Sequence, residues 1–298
     1  MTSPRPAAVA IGFFDGVHLG HRKILRALRD AASASGARPA VLTFRNHPLS
    51  VIDPGAAPPL LMTGERRLAE LSGAAGCEVV ALDFTPALAA MPPEEFIAEL
   101  HGMFGRVSCV FCGPGWRFGA QGRGNAALLA AAGIEVRETP FAMESGERIS
   151  STRIRAAVRS GDLASAAAML GRPFALCGAI RPGKGEGRNL GFPTVNIAPA
   201  AGMCLPPCGV YAIEGGIANL GTAPTFGDRA WKAPILEAHY FSRPPDFPCG
   251  AAEVPLLRFL RPERRFPDVA SLRARIALDV AAAKSAWRTC DVRASLPG

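Results

Sequence analysis

Ala7-Ala-Val-Ala-Ile11, then Gly12-Phe-Phe-Asp-Gly-Val-His18-Leu-Gly-His21, then a run that puts Ile24, Leu25, Leu28 and Ala32 on one helical face: the chain opens with a strand, a glycine-punctuated loop and a helix in direct succession. His18 and His21 stand three residues apart where the helix begins, and there the unpaired N–H groups and the dipole favour anions, so the pair reads as a phosphate clamp. Gly20 leaves room for a nucleotide to lie against the backbone. Two surface histidines beside a helix cap are the plain alternative. Their coincidence with a strand–loop–helix switch favours function.

Outward from that stretch the pattern alternates. Ala40 to Phe44 reads as strand, Arg66 to Leu71 as helix, Val79 to Asp83 as strand, and Pro93 to Phe104 as helix. Val107 to Cys112, Asn125 to Ala132 and Ile134 to Glu138 continue as strand, helix and strand. Such alternation implies a parallel sheet between layers of helices, with ligands at the carboxyl ends of the strands.

After Ile154 the text changes. Residues Ile154 to Leu170 read as two short helices broken at Ser160-Gly161, with Asp162 capping the second. Short strands separated by Gly and Pro follow: Ala175 to Ile180, Thr194 to Ile197, Gly209 to Ile213, Gly216 to Leu220, Leu236 to Phe241 and Val254 to Phe259. They predict a small β-barrel. One amphipathic helix, Asp268 to Trp287, closes it, with Val269, Leu272, Ile276, Val280 and Trp287 facing the core. The expected organisation is a domain over residues 1–158, a helical linker over 159–172 and a second domain over 173–298.

Composition narrows the class. With 49% hydrophobic and 19% charged residues in 298, the chain can bury two cores. It has no apolar run near the ~20 residues of a membrane span. Met1-Thr-Ser-Pro-Arg-Pro6 lacks a signal-peptide core, so a cytoplasmic protein is expected. Eight scattered cysteines fit reduced thiols. Cys109-Val-Phe-Cys112 has zinc-like spacing, but it lies in an apolar strand with no second pair nearby, and Cys204 with Cys208 is weaker still. A net charge of +8 suits anionic small-molecule substrates. Without basic runs interleaved with aromatics, nucleic acid is not the expected partner.

Two further segments carry chemistry. Gly183-Lys-Gly-Glu-Gly-Arg188 places three glycines and two cations where backbone N–H groups can cradle phosphates, namely Gly183, Lys184, Gly185, Gly187 and Arg188. It runs into Gly191-Phe-Pro-Thr-Val-Asn196, where the strand period sets Thr194 and Asn196 side by side as hard oxygen ligands suited to Mg²⁺. A glycine-rich hairpin is the plain alternative. Ile149-Ser-Ser-Thr-Arg-Ile-Arg155 offers hydroxyls and guanidiniums at a helix start, either a good cap or a grip on pyrophosphate.

Together, in this order, Gly12 to His21, Ile149 to Arg155 and Gly191 to Asn196 resemble the bacterial bifunctional riboflavin kinase/FAD synthetase family. Leu170-Gly-Arg-Pro-Phe174, Gly209-Val-Tyr211, Asn219-Leu-Gly-Thr222, Leu236-Glu-Ala-His239 and Phe259-Leu-Arg-Pro-Glu263 extend the match to about residue 284. The resemblance implies a Rossmann-like nucleotidyltransferase domain that moves AMP from ATP to FMN. It further implies a barrel that phosphorylates riboflavin with ATP and Mg²⁺, followed by the C-terminal helix. On that implication His18 and His21 stabilise the ATP phosphates, Gly12, Phe13, Asp15 and Gly20 bind the nucleotide, and Ser151, Thr152, Arg153 and Arg155 hold pyrophosphate. Gly183 to Arg188 hold the kinase nucleotide, Thr194 and Asn196 the metal, and Glu237 orients or deprotonates the ribityl hydroxyl.

Departures from the family pattern are specific. Asn46 replaces a usual Pro, Gly115 a common Asn or Asp, and Ala223 a usual Arg, while the 211–219 hairpin is clipped, which is expected to thin the barrel edge or alter flavin access. Two alternatives stay open: a kinase whose adenylyltransferase half is degenerate, and a non-catalytic flavin or nucleotide binder. An aminoacyl-tRNA ligase fails on length and on the lack of an anticodon-reading domain.

Overall fold

A computed structural model of the chain describes residues 5–181, 194–222, 233–242, 245, 247, 250–264 and 266–294. It divides into two compact units, Met1–Pro59 with Gly64–Ser151, and Leu60–Thr63 with Thr152–Gly298.

The first unit is built on a five-stranded sheet of β1 (Ala7–Ile11), β2 (Arg38–Phe44), β3 (Glu78–Leu82), β4 (Val107–Cys112) and β5 (Glu135–Glu138). All neighbours pair parallel, in the order β3-β2-β1-β4-β5. Its helices are α1 (Leu19–Ser35), α2 (Leu49–Ile52), α3 (Gly64–Ala75), α4 (Pro86–Ala90), α5 (Pro93–Phe104) and α6 (Ala126–Ala131). Strand order reverses between β1 and β4, which opens a crevice beyond the carboxyl end of β1. β1 is buried along its whole length, as a central parallel strand must be, and packs with Leu42, Leu100, Val110, Leu129 and Ile134.

Helix α1 begins at Leu19, because His18 caps it with its own side chain. Leu25, Leu28 and Ala32 form its buried face, and Gly36 ends it in the left-handed conformation. A short hairpin that the sequence pattern did not announce, β6 (Met143–Glu144) and β7 (Glu147–Arg148), precedes the Ile149–Arg155 motif.

Helix α7 (Ser151–Ser160), which belongs to the second unit from Thr152 onward, and α8 (Leu163–Leu170) break at Gly161, and Asp162 accepts from the Ser165 N–H at 3.0 Å. Six strands follow: β8 (Phe174–Arg181), β9 (Thr194–Pro199), β10 (Gly209–Ile213), β11 (Gly216–Gly221), β12 (Ile235–Tyr240) and β13 (Ala251–Arg261). They close as β10-β11-β12-β9-β8-β13. Phe174, Leu176, Ile197, Tyr211, Ile213, Leu220, Leu236, Ala238, Val254 and Leu256 are buried, and they fill the barrel. The α9 helix (Val269–Ala294) covers Ala212 and Ile217 on the outside with Ile276, Val280 and Ala283. A buried fork from Arg261 to Asp279, 2.8 Å at its shortest, ties that helix to β13. No helix among the described residues is long and apolar enough to cross a membrane.

The clipped hairpin does not thin the barrel. β10 and β11 pair at five positions from Gly209↔Leu220 to Ile213↔Gly216 around a two-residue turn in which Gly215 has φ 68°. Both strands also pair onward, β10 with β13 and β11 with β12, so the ladder has no open edge here.

Candidate functional sites

In the first unit the loop between β1 and α1 is held from both ends. The Gly12 N–H donates to the Leu42 carbonyl at 3.1 Å, and the Val17 N–H to the Phe14 carbonyl at 3.0 Å. Phe14 and Val17 have φ of 58° and 38°, a region that bulky and β-branched residues rarely enter. Strain of this kind costs about 1–3 kcal/mol per residue and persists only where the surroundings over-determine the backbone.

The Nδ1 atom of His18 accepts from the His21 N–H at 3.3 Å, so its ring proton belongs on Nε2. The two imidazoles stack, with centroids 3.5 Å apart and planes at 17°. Phe14 meets His21 edge-on at 5.2 Å. His21 Nδ1 is sheltered with no hydrogen-bond partner. Burial, with help from the fields of His18 and Arg67, holds the His21 pKa well below its ordinary value. His21 is therefore a neutral imidazole at pH 7 rather than a cation. A Cβ at Gly20 would lie 3.0 Å from Cε1 of His18. Gly20 is needed so that His18 can fold over it.

Ser151 donates from Oγ to the carbonyl of Asp15 at 2.9 Å, which joins the start of the second motif to the histidine loop. Asp15 is itself buried. Thr152, Arg153 and Arg155 follow on the first turns of α7, within the second unit, where Arg155 is buried. Arg67, which sequence reasoning passed over, lies on the buried stripe of α3 with Leu71 and Ala75. A charge on an apolar helical stripe was the available signal. Its guanidinium sits 4.0 Å over the Phe13 ring, whose edge meets His47 at 4.6 Å.

On the barrel, register sets Asn219 opposite Glu237, Glu237 opposite Asn196, and Asn196 opposite Arg181, a polar row across four strands. Thr194 stands opposite His239 one step along the same face. This is the face turned away from Leu220, Leu236 and Ala238. Asn219 donates from Nδ2 to Oε1 of Glu263 at 2.9 Å. Asn196 is only 7% exposed, and its Oδ1 has no hydrogen-bond partner. Gly183, Lys184, Gly185, Gly187 and Arg188 lie outside the described residues, as does Ala223.

Comparison with known proteins gives one answer for both halves. The family model for FAD synthetase matches residues 1–153, and the one for riboflavin kinase residues 170–287. The chain belongs to the bifunctional riboflavin kinase/FMN adenylyltransferase family. The Escherichia coli K12 protein of that name is 34% identical over 284 residues, 91% of this chain and 90% of that protein. Its Bacillus subtilis namesake is 30% identical over 288 residues, 92% and 90% of the two chains. A solved structure titled a macrolide-efflux protein from Streptococcus pneumoniae superposes with a TM-score of 0.79 at 26% identity, covering 94% of each chain. That likeness is one of fold.

Against the family pattern, Asn46 has its own function in the loop. Its amide accepts from the Phe84 N–H at 2.8 Å and donates to the Phe84 carbonyl at 3.0 Å, imitating one more rung of the β2–β3 ladder. Gly115 has φ 73°, the left-handed conformation that Asn and Asp tolerate best after glycine, and a Cβ there would meet nothing within 4 Å. The loop keeps a shape that fits the family's side chain. Cys109 and Cys112 are buried on β4, and burial pushes both thiols up to about 11, as expected for inert packing residues.

Proposed function

We propose that this chain phosphorylates riboflavin to FMN on the barrel and adenylylates FMN to FAD in the first unit, drawing on ATP for both. The observation that carries the kinase assignment is the pairing of Asn196 with Glu237 on one barrel face, with an amide oxygen left unpartnered in a buried place. A buried oxygen without a donor costs about 1–3 kcal/mol, and a hard cation relieves that cost. The donor set suits Mg²⁺, which Asn196 and Thr194 would hold; when bound, the ion neutralises charge on the ATP phosphates. Glu237, beside Asn196, accepts the proton of the ribityl 5′-hydroxyl as its oxygen bonds to the γ-phosphorus and the bond to ADP breaks. Gly183 to Arg188 cradle the phosphates in this reading.

In the first unit the FMN phosphate oxygen attacks the α-phosphorus of ATP, and the bond to pyrophosphate breaks. No covalent enzyme intermediate is required, so positioning and charge stabilisation carry the step. His18 presents an Nε2–H donor, and neutral His21 supports it by stacking. Gly12, Phe13 and Asp15 shape the nucleotide-binding loop; Ser151, Thr152, Arg153 and Arg155 receive the pyrophosphate. Cys109, Cys112, Cys177 and Cys204 are buried thiols, which suit a reducing compartment, and a cytoplasmic setting completes this reading.

The test is a time course with riboflavin, ATP and Mg²⁺, the flavins separated by chromatography. FMN appears first and FAD follows. Glu237→Gln abolishes FMN formation and spares FAD made from supplied FMN, and His21→Ala does the reverse. Two folded variants that each lose both reactions would overturn the two-site assignment, and FMN accumulating alone in the parent would assign the missing step to the first unit.

A further inference from the structure

We propose that Arg67 is a positioning residue for adenylyl transfer, holding the Gly12–His21 loop against the carboxyl end of β2 through its buried guanidinium. The inference rests on reading the first unit as the adenylyltransferase.

Arg67 is 1% exposed, so its charge has been taken out of water. A helix stripe that only packs a core would carry an apolar residue there, because an isolated buried cation is costly. Four acceptors surround it instead. Nη1 donates to the Phe13 carbonyl at 2.7 Å and to Thr43 Oγ1 at 2.9 Å. Nη2 donates to the carbonyls of Phe44 at 2.6 Å and Arg45 at 3.0 Å. Burial lowers its pKa to about 10 while the Asp15 carboxylate works the other way, and the group remains a cation at neutral pH.

The acceptors lie where the strands β1 and β2 end. Phe13 is the residue before Phe14, the first left-handed position of the strained turn, and its carbonyl also accepts from Thr43 Oγ1 at 3.3 Å. With its carbonyl clamped and its ring stacked under the guanidinium, Phe13 cannot rotate to release Phe14 and Val17. The turn they form delivers His18 to its cap position. A planar fork with five N–H donors can span four acceptors in two directions; an ammonium on a flexible stem cannot. Misplacement by about 1 Å can cost about a hundredfold in rate.

The experiment uses full-length Arg67→Lys and Arg67→Met. For Arg67→Lys we expect the near-UV circular dichroism and the riboflavin-to-FMN rate of the parent. In contrast, kcat for FAD formation from supplied FMN falls about tenfold or more, the KM for ATP changes less than about threefold, and the imidazole NMR signals of His18 and His21 shift. Parent kcat in either folded variant overturns the assignment. So does a loss of FAD formation that only follows loss of folded signal in both variants, which is a stabilising role alone. If the parent itself makes no FAD, the adenylyltransferase reading fails by that result, and the imidazole signals decide on Arg67: unshifted signals in folded Arg67→Lys overturn the positioning role.

Discussion

The Ser151 hydroxyl donates to the Asp15 carbonyl at 2.9 Å across 136 positions of sequence, and so joins the loop after β1 to the residue at which α7 begins. Neither partner depends on the other locally. The bond is therefore a tertiary fastening of two motifs far apart in sequence.

Removing it has a defined consequence. Ser151→Ala strips one hydrogen bond worth about 1 kcal/mol and leaves the Asp15 carbonyl one donor short. FAD formation from supplied FMN should fall about tenfold, with riboflavin phosphorylation at the parent rate. Coupled assays of the two half-reactions on one preparation check it.

Gly20→Ala tests the stacked imidazoles. The added methyl would lie 3.0 Å from the His18 ring, tighter than ordinary contact, so the ring must shift by a few tenths of an ångström. The shift stretches the cap hydrogen bond, whose full loss costs about 1 kcal/mol, and the His18 donor moves with the ring. The expected result is a Tm lower by a few degrees together with a large loss of FAD formation; an unchanged FAD rate would refute the role given to His18.

The neutral state of His21 makes a prediction about pH. Its folded pKa lies below the ordinary 6.5, so between the two values the unfolded chain binds the proton and the folded chain does not. Stability is thus fully present above about pH 6.5 and is lost as pH falls, by at most about 1.4 kcal/mol per unit. Thermal melts at pH 7.5 and 5.5 should show a larger fall in Tm for the parent than for His21→Phe.

Asn196 sets stability against function. Asn196→Leu replaces an unpartnered buried amide oxygen by an apolar group of similar size and should raise Tm in the absence of Mg²⁺. The same change should abolish FMN formation. A calorimetric melt beside the riboflavin assay reads both, and a lower Tm would mean that the oxygen is satisfied in the resting protein.

Much of this was legible in the residues because it is local. β4 and α5 fall at Val107–Cys112 and Pro93–Phe104 as their periodicity predicts, and the break at Ser160-Gly161 with its Asp162 cap is a matter of a few neighbouring residues. Thr194 beside Asn196, and Glu237 on the face opposite Leu236, follow from the strand period. The β6–β7 hairpin was missed because two-residue strands leave no periodic trace.

By itself, then, the sequence determined the two-part architecture, the strand and helix faces and the family, since hydrophobic period, turn residues and ordered motifs are properties of short segments. Only the tertiary structure decided that Glu237 and Asn196 are cross-strand partners, that Ser151 reaches Asp15, that His18 occupies the space over Gly20, and that Arg67 lies beneath the loop it fastens. The physical reason is that register, long-range hydrogen bonds and desolvation depend on which distant segments meet, and no local pattern encodes a meeting.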